Sequence, residues 1–171
     1  VIDAGHGGHD TGARGVFAQE IDIILSVALR FGKLIESNCP DVKVIYTRKD
    51  DRFVTLHERA AIANRNKADL FISVHTNAVA RGHTVQGFQV YTLGMHRAKD
   101  NLYVAMRENS VISLEKDYEQ TYQGFDPKSS ESYIMFEFIQ SANMERSIEL
   151  ARFIQRSVCS RVGRNDKGVR Q

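Results

Sequence analysis

Cysteine is scarce in this chain. Two occur in 171 residues, Cys39 and Cys159, far apart and outside any CxxC pair. A disulfide, two free thiols and two buried small residues all remain open, so cysteine says little about redox compartment. An excess of one charge sign is also missing. Lys and Arg number 23 against 21 Asp and Glu, a net charge of +2. The charges are mixed along the chain rather than blocked, which is too mild a pattern to argue for a nucleic-acid partner. No apolar run approaches the ~18 residues of a membrane-spanning helix, and these residues hold no signal-peptide pattern. No internal repeat or low-complexity segment is present. The chain starts in mid-strand and stops abruptly at Gly168-Val-Arg-Gln171, so an excised piece of a longer protein is expected.

What is present fits one ordinary globular domain. The hydrophobic fraction is 42% and the charged fraction 26%, and a chain of this length can bury a substantial core. The stretch that organises it is Val1-Ile-Asp-Ala-Gly-His-Gly-Gly-His-Asp10, a short apolar run ending in the glycine-framed His6. A second apolar run, Leu70-Phe-Ile-Ser-Val-His75, ends in the same way. Runs that are apolar throughout read as strands buried on both faces, the signature of a parallel sheet covered by helices. Ligands of open α/β sheets bind just outside the carboxyl ends of the strands, so His6 and His75 are expected to converge there. The fold class is therefore α/β, with a mostly parallel central sheet, helices on both faces and a helical insertion.

Periodicity places the other elements. Residues 20–37 predict a helix with Ile21, Ile24, Leu25, Ala28, Leu29, Phe31, Leu34 and Ile35 on one broad face. Residues 42–47 predict a second strand, residues 48–52 a solvated polar loop, and residues 56–67 a short helix. That helix offers Leu56, Ala60, Ile62 and Ala63 to the core. Residues 70–74 predict a third strand and residues 85–93 an alternating strand nearer the sheet edge. His83 and His96, which flank this strand, are assigned to surface loops. Residues 98–109 read as helical. Residues 144–162 predict a helix with Ile148, Ala151, Ile154, Gln155 and Val158 along one side. Residues 163–168 are expected to form a turn. The glycine-rich loop 5–15 has neither GxxxxGKS/T nor GxGxxG spacing, which argues against a nucleotide site.

His6, Glu20 and His75 are the right residue types for a catalytic zinc site, with two imidazoles, one carboxylate and a position left for water. Their spacing matches no short zinc motif such as HExxH. Loop-tip histidines and a glutamate that merely favours a helix start are the plainer alternatives.

Four pieces of sequence sharpen this. They are residues 1–10 with Gly12; Glu20 opening a helix; Thr47-Arg48 with Asp51, Leu56, Arg59 and Ala63-Asn64; and Ala68-Asp-Leu-Phe-Ile-Ser-Val-His-Thr-Asn-Ala78. Gly87-Phe-Gln-Val-Tyr91 follows them. In this order they resemble the zinc-dependent N-acetylmuramoyl-L-alanine amidases of the amidase-3 type, bacterial cell-wall hydrolases. The resemblance implies zinc on His6, Glu20 and His75, with residues 1–171 as the catalytic domain. It also implies hydrolysis of the amide between N-acetylmuramic acid and L-alanine in peptidoglycan. Asn77 falls on a family position near the site, either orienting a ligand or shaping the loop, the loop role being expected. The family's acid–base glutamate has no counterpart here and is expected beyond Gln171. Such a group contributes about 10²–10⁴-fold.

Residues 111–143 fit no β-α alternation. In place and length they resemble an insertion of division-associated family members that covers the site and is displaced by an activator protein. Glu115 and Glu119, four apart on one helical face, are the expected inhibitory residues, with Glu131 and Glu137 as further candidates. The substrate implies the cell envelope, either the periplasm or the outer side of the cytoplasmic membrane. Two other functions remain open: a wall-binding or regulatory domain without turnover, and another zinc peptidase or deacylase on a similar scaffold.

Overall fold

The computed structural model describes residues 1–78, 86–92, 107–115 and 143–170. The chain divides into two compact units, residues 1–78 and 79–171. The first unit contains β1 (Ile2–Ala4), α1 (Glu20–Asn38), α2 (Leu56–Arg65) and β2 (Ile72–Val74). The strands pair in parallel, with Ile2 opposite Ile72, Asp3 opposite Ser73 and Ala4 opposite Val74. Ile2 and Ala4 pack on Ala28 of α1, with Leu25, Phe31, Ile35, Val44, Tyr46 and Val74 around them. The α1 stripe is the expected one at Ile21, Ile24 and Ala28, all buried. Burying Ile24 alone contributes roughly 1.5–3 kcal/mol. Leu34 departs from the expected face. It is exposed, because ten residues beyond Ile24 the helix has turned it away from the stripe.

The strand expected over residues 42–47 reduces to one parallel bridge between Ile2 and Tyr46. Ile2 donates to the Ile45 carbonyl at 2.8 Å and accepts from the Thr47 amide at 3.1 Å. Ala4 is the next residue of β1 to face this segment, since alternate residues bond to the same neighbour. Its carbonyl is taken instead by the side chains of Arg48 and Arg59, so the ladder stops. In α2, Thr55 caps the helix by accepting from the Glu58 amide at 3.1 Å. Ala60, expected in the core, is exposed, and the buried residue of this helix is Arg59.

Asp3 explains why arginine is buried there. Its Oδ1 accepts from Thr47 Oγ1 and from Arg59 Nη1, each at 2.6 Å, and its Oδ2 accepts from Ser73 Oγ at 2.6 Å. One carboxylate therefore joins β1, β2, α2 and the 42–47 segment. Burial pushes the Asp3 carboxyl upward. The Arg59 charge and the bonds from Ser73, Thr47 and Arg59 together outweigh that and hold it below its ordinary value.

The second unit contains β3 (Phe88–Tyr91), a 3₁₀ turn (Ser110–Leu114), α3 (Met144–Val162) and β4 (Asp166–Arg170). β3 and β4 pair in parallel, Phe88 opposite Asp166 and Tyr91 opposite Arg170. Ala151 and the side chain of Gln155 are buried on the predicted face of α3. Gln155 donates to the Phe88 carbonyl at 2.7 Å and to Asp166 Oδ1 at 2.6 Å. Gly163, in the left-handed region at φ 64°, ends the helix. The turn expected through residue 168 is therefore shorter, because a strand begins at Asp166. Cys39 and Cys159 are free thiols.

Two outcomes follow for stability. A Cβ on Gly32 would lie 1.8 Å from Tyr46 Oη and 2.4 Å from its Cζ. Gly32→Ala is expected to lower the unfolding free energy by about 1–3 kcal/mol. Urea denaturation checks this, and adding Tyr46→Ala should make the two effects non-additive. The depressed Asp3 carboxyl stabilises the fold fully above the ordinary carboxylate value, near pH ~3.9, and that contribution is lost as pH falls through its lower folded value. Asp3→Asn is expected to cost about 3–5 kcal/mol at neutral pH by leaving the buried Arg59 charge uncompensated. The gap to wild type should close in acid, as denaturation across a pH series would show.

Candidate metal centre

The parallel register brings the carboxyl ends of β1 and β2 to one edge. His6 leaves β1 there and His75 leaves β2. Gly5 donates to the Val74 carbonyl at 3.3 Å, and the absence of a Cβ on Gly5 leaves room for the His75 ring, since one would lie 2.3 Å from Cε1. His6 itself has φ 55°, the left-handed region that non-glycine residues seldom adopt. Beyond it, Gly7 and Asp10 exchange backbone hydrogen bonds at 2.9 and 3.1 Å. Asp51 Oδ1 accepts from the Gly8 amide at 2.7 Å.

Glu20 enters from the first turn of α1. Its side chain is turned inward and buried. Oε2 accepts from the Ala13 amide at 2.9 Å, and Oε1 from the Thr76 amide at 2.6 Å. The Glu20 amide donates back to the Ala13 carbonyl at 2.9 Å, and Gly15 donates to Ala18 at 2.9 Å. Residues 13–20 thus form a small hairpin whose tip, Val16 and Phe17, is fully solvent-facing. Burial raises the Glu20 carboxyl, but bonds with His6 and His75 and the two amides overcome this and hold it far below the ordinary range. Glu20 is ionised at any physiological pH.

The three sequence-predicted ligands meet. Glu20 Oε1 lies 3.4 Å from His6 Nε2 and 3.5 Å from His75 Nδ1. The imidazole centroids are 5.0 Å apart with planes at 79°. One donor atom from each of the three residues lies within 4.8 Å of the others. Two ligands that each sit ~2.1 Å from a tetrahedral ion are roughly 3.4 Å apart, so the donor set fits a small divalent cation. The other His6 nitrogen, Nδ1, is 2.8 Å from Asp10 Oδ2. Asp10 Oδ1 in turn accepts from the Gly12 amide at 3.2 Å. A carboxylate on the far nitrogen fixes the tautomer and aims the near one.

Other expectations fare differently. The loop 48–52 is not simply solvated: Arg48 is buried and Asp51 ties Gly8 in place, while Asp50 and Arg52 form an exposed pair at 3.5 Å. Sequence reasoning gave no role to Asp10 or Arg59, and read Arg48 and Asp51 only as part of a solvated loop whose charges could touch substrate. Their only signal was membership of the four matching pieces. Asn77 is exposed on the loop after His75. Glu115 ends the 3₁₀ turn, its amide donating to the Ile112 carbonyl at 3.0 Å. Glu119, Glu131, Glu137, His83 and His96 lie outside the described residues, as does most of 111–143.

The profile of the amidase-3 family, described as N-acetylmuramoyl-L-alanine amidase, matches residues 1–171. The chain belongs to the amidase-3 family. Among curated amidase-3 relatives, it is 31% identical over 173 residues to N-acetylmuramoyl-L-alanine amidase AmiC of Escherichia coli O6:H1. That match covers 98% of this chain and 38% of the relative. A sporulation-specific N-acetylmuramoyl-L-alanine amidase of Bacillus subtilis is 38% identical over 111 residues, covering 65% of this chain and 42% of its own. The chain thus spans well under two thirds of these relatives. Among solved structures, an N-acetylmuramoyl-L-alanine amidase from Clostridium difficile 630 shares the fold. Its TM-score is 0.64 at 24% identity, over 99% of this chain and 67% of that one. AmiC2 of Nostoc punctiforme gives 0.51 at 35% identity over 66% of this chain and 59% of that one.

The packing of His75 on Gly5 makes a direct test of this centre. Gly5→Ala is expected to displace the ring and weaken metal binding by about 10-fold or more, measured by competition with a chromogenic chelator. Unchanged affinity would remove His75 from the ligand set.

Proposed function

We propose that this domain performs zinc-dependent hydrolysis of the amide between N-acetylmuramic acid and L-alanine in peptidoglycan. The observation that carries the reading is the convergence of His6 Nε2, Glu20 Oε1 and His75 Nδ1 at ligand spacing. Two neutral imidazoles and one carboxylate suit zinc and leave a position for water. Zinc so bound lowers the pKa of water to about 7 and polarises a carbonyl oxygen. The chain's own residues order this centre. Glu20 contributes a fixed negative charge, held by two backbone amides. Asp10 holds His6 in the tautomer that presents Nε2. Gly5 leaves room for the His75 ring.

The substrate places the protein in the cell envelope, either in the periplasm or outside the cytoplasmic membrane. No helix among the described residues is long and apolar enough to cross a membrane. On the family resemblance, residues 111–143 act as an inhibitory segment, and an activator protein that relieves the inhibition is the partner.

The test is mass spectrometry of peptides released from purified peptidoglycan by the full-length protein. Stem peptides with free L-alanine amino termini, lost on chelation and in His75→Ala, are expected. Cut peptides that keep the lactyl amide would point to a different peptidase, and no release at all to a binding domain. A version without residues 111–143 should release more. Equal release from a folded deletion variant would strike the inhibition from this reading.

A further inference from the structure

We propose that Arg48 and Arg59 are positioning residues for the metal ligand His6, holding its strained backbone from beneath. This rests on the reading of His6 as a ligand. The bonds fall on three consecutive carbonyls. Ala4 accepts from Arg48 Nε at 2.9 Å and from Arg59 Nη1 at 2.8 Å. Gly5 accepts from Arg48 Nη2 at 2.7 Å. His6 accepts from Arg59 Nη2 at 2.6 Å. Those carbonyls belong to the residues over which β1 ends and the chain enters the left-handed conformation of His6. Such conformations persist at functional sites only when the surroundings over-determine them.

Each guanidinium is itself anchored. Arg48 Nη1 donates to the Asp50 carbonyl at 3.0 Å. Arg59 Nε donates to Val54 at 3.0 Å, and its Nη1 also donates to Asp3. Both side chains are buried, and of the two only Arg59 makes an ion pair with Asp3. Burying charge is a poor way to gain stability, because apolar side chains of similar volume do as well or better. A planar fork with several donors in fixed directions does what an apolar residue or an ammonium cannot: it sets the orientation of successive peptide planes. The peptide plane after His6 sets where Nε2 points, and Asp10 then fixes the ring about its own axis.

The experiment measures zinc affinity of the full-length protein by chelator competition, with circular dichroism to establish folding. Arg59→Lys keeps the charge and loses the fork. It is expected to weaken zinc about 10–100-fold. Gly32→Ala, which disturbs the core at Tyr46 and touches nothing near His6, should leave zinc affinity unchanged. If Arg59→Lys does not fold, Arg48→Lys takes its place with the same expectation. A wild-type protein that binds no zinc overturns the metal reading itself. Wild-type binding matched by folded lysine variants overturns the positioning role alone. A loss in Gly32→Ala as large as in the lysine variants also overturns it, since the effect would then be general destabilisation.

Discussion

The first unit depends on one buried carboxylate. Asp3 sits in the middle of a three-residue strand and takes hydrogen bonds from Thr47, Arg59 and Ser73. A strand of three residues offers few ladder bonds, and a strand so short is usually marginal. Asp3 supplies cross-links the ladder lacks. A bare carboxylate in that position would be very costly, which is why its donors come in a set. With all of them present it is satisfied and ionised. The same guanidinium that neutralises it also reaches the backbone at His6. Stability of the sheet and geometry of the candidate metal centre thus share an arginine.

The centre is built almost wholly from the ends of elements. His6 and His75 follow adjacent parallel strands, and Glu20 begins the helix after the first of them. None of these three side chains stands free in solvent. Glu20 is fixed by amides on both oxygens, His6 by a carboxylate on its far nitrogen, and His75 by its seat on Gly5. Such pre-organisation means that little conformational freedom remains to be lost when a cation binds.

Much of this was readable in the residues. The two histidines at one sheet edge followed from two apolar runs that each end in histidine, Glu20 joined them through the family resemblance, and the helices over residues 20–38 and 144–162 followed from their apolar period. What was not readable has a common cause. Arg48 and Arg59 look like surface residues because arginine usually is, and only the fold shows Asp3 and three carbonyls waiting for them. The same arginines shortened the strand expected over residues 42–47 by taking the Ala4 carbonyl. β4 was missed because Asp-Lys-Gly-Val-Arg carries a single apolar residue. Its pairing with β3, not its own propensity, makes it a strand.

The parallel pairing of β1 with β2 also has a temporal side. Asp3 and Ser73 are 70 residues apart, and the Gly5 amide bonds to the Val74 carbonyl across a similar gap. Synthesis at ~5–20 residues per second puts roughly 4–14 s between the emergence of Asp3 and of its last partner. For that interval the nascent chain presents an apolar strand end and a carboxylate with no seat. Local helices can form in microseconds, so α1 can be sampled long before the sheet that stabilises it is available. The contact that closes the first unit is therefore among the last available to it, and a non-local closure of this kind is what makes such folds slow.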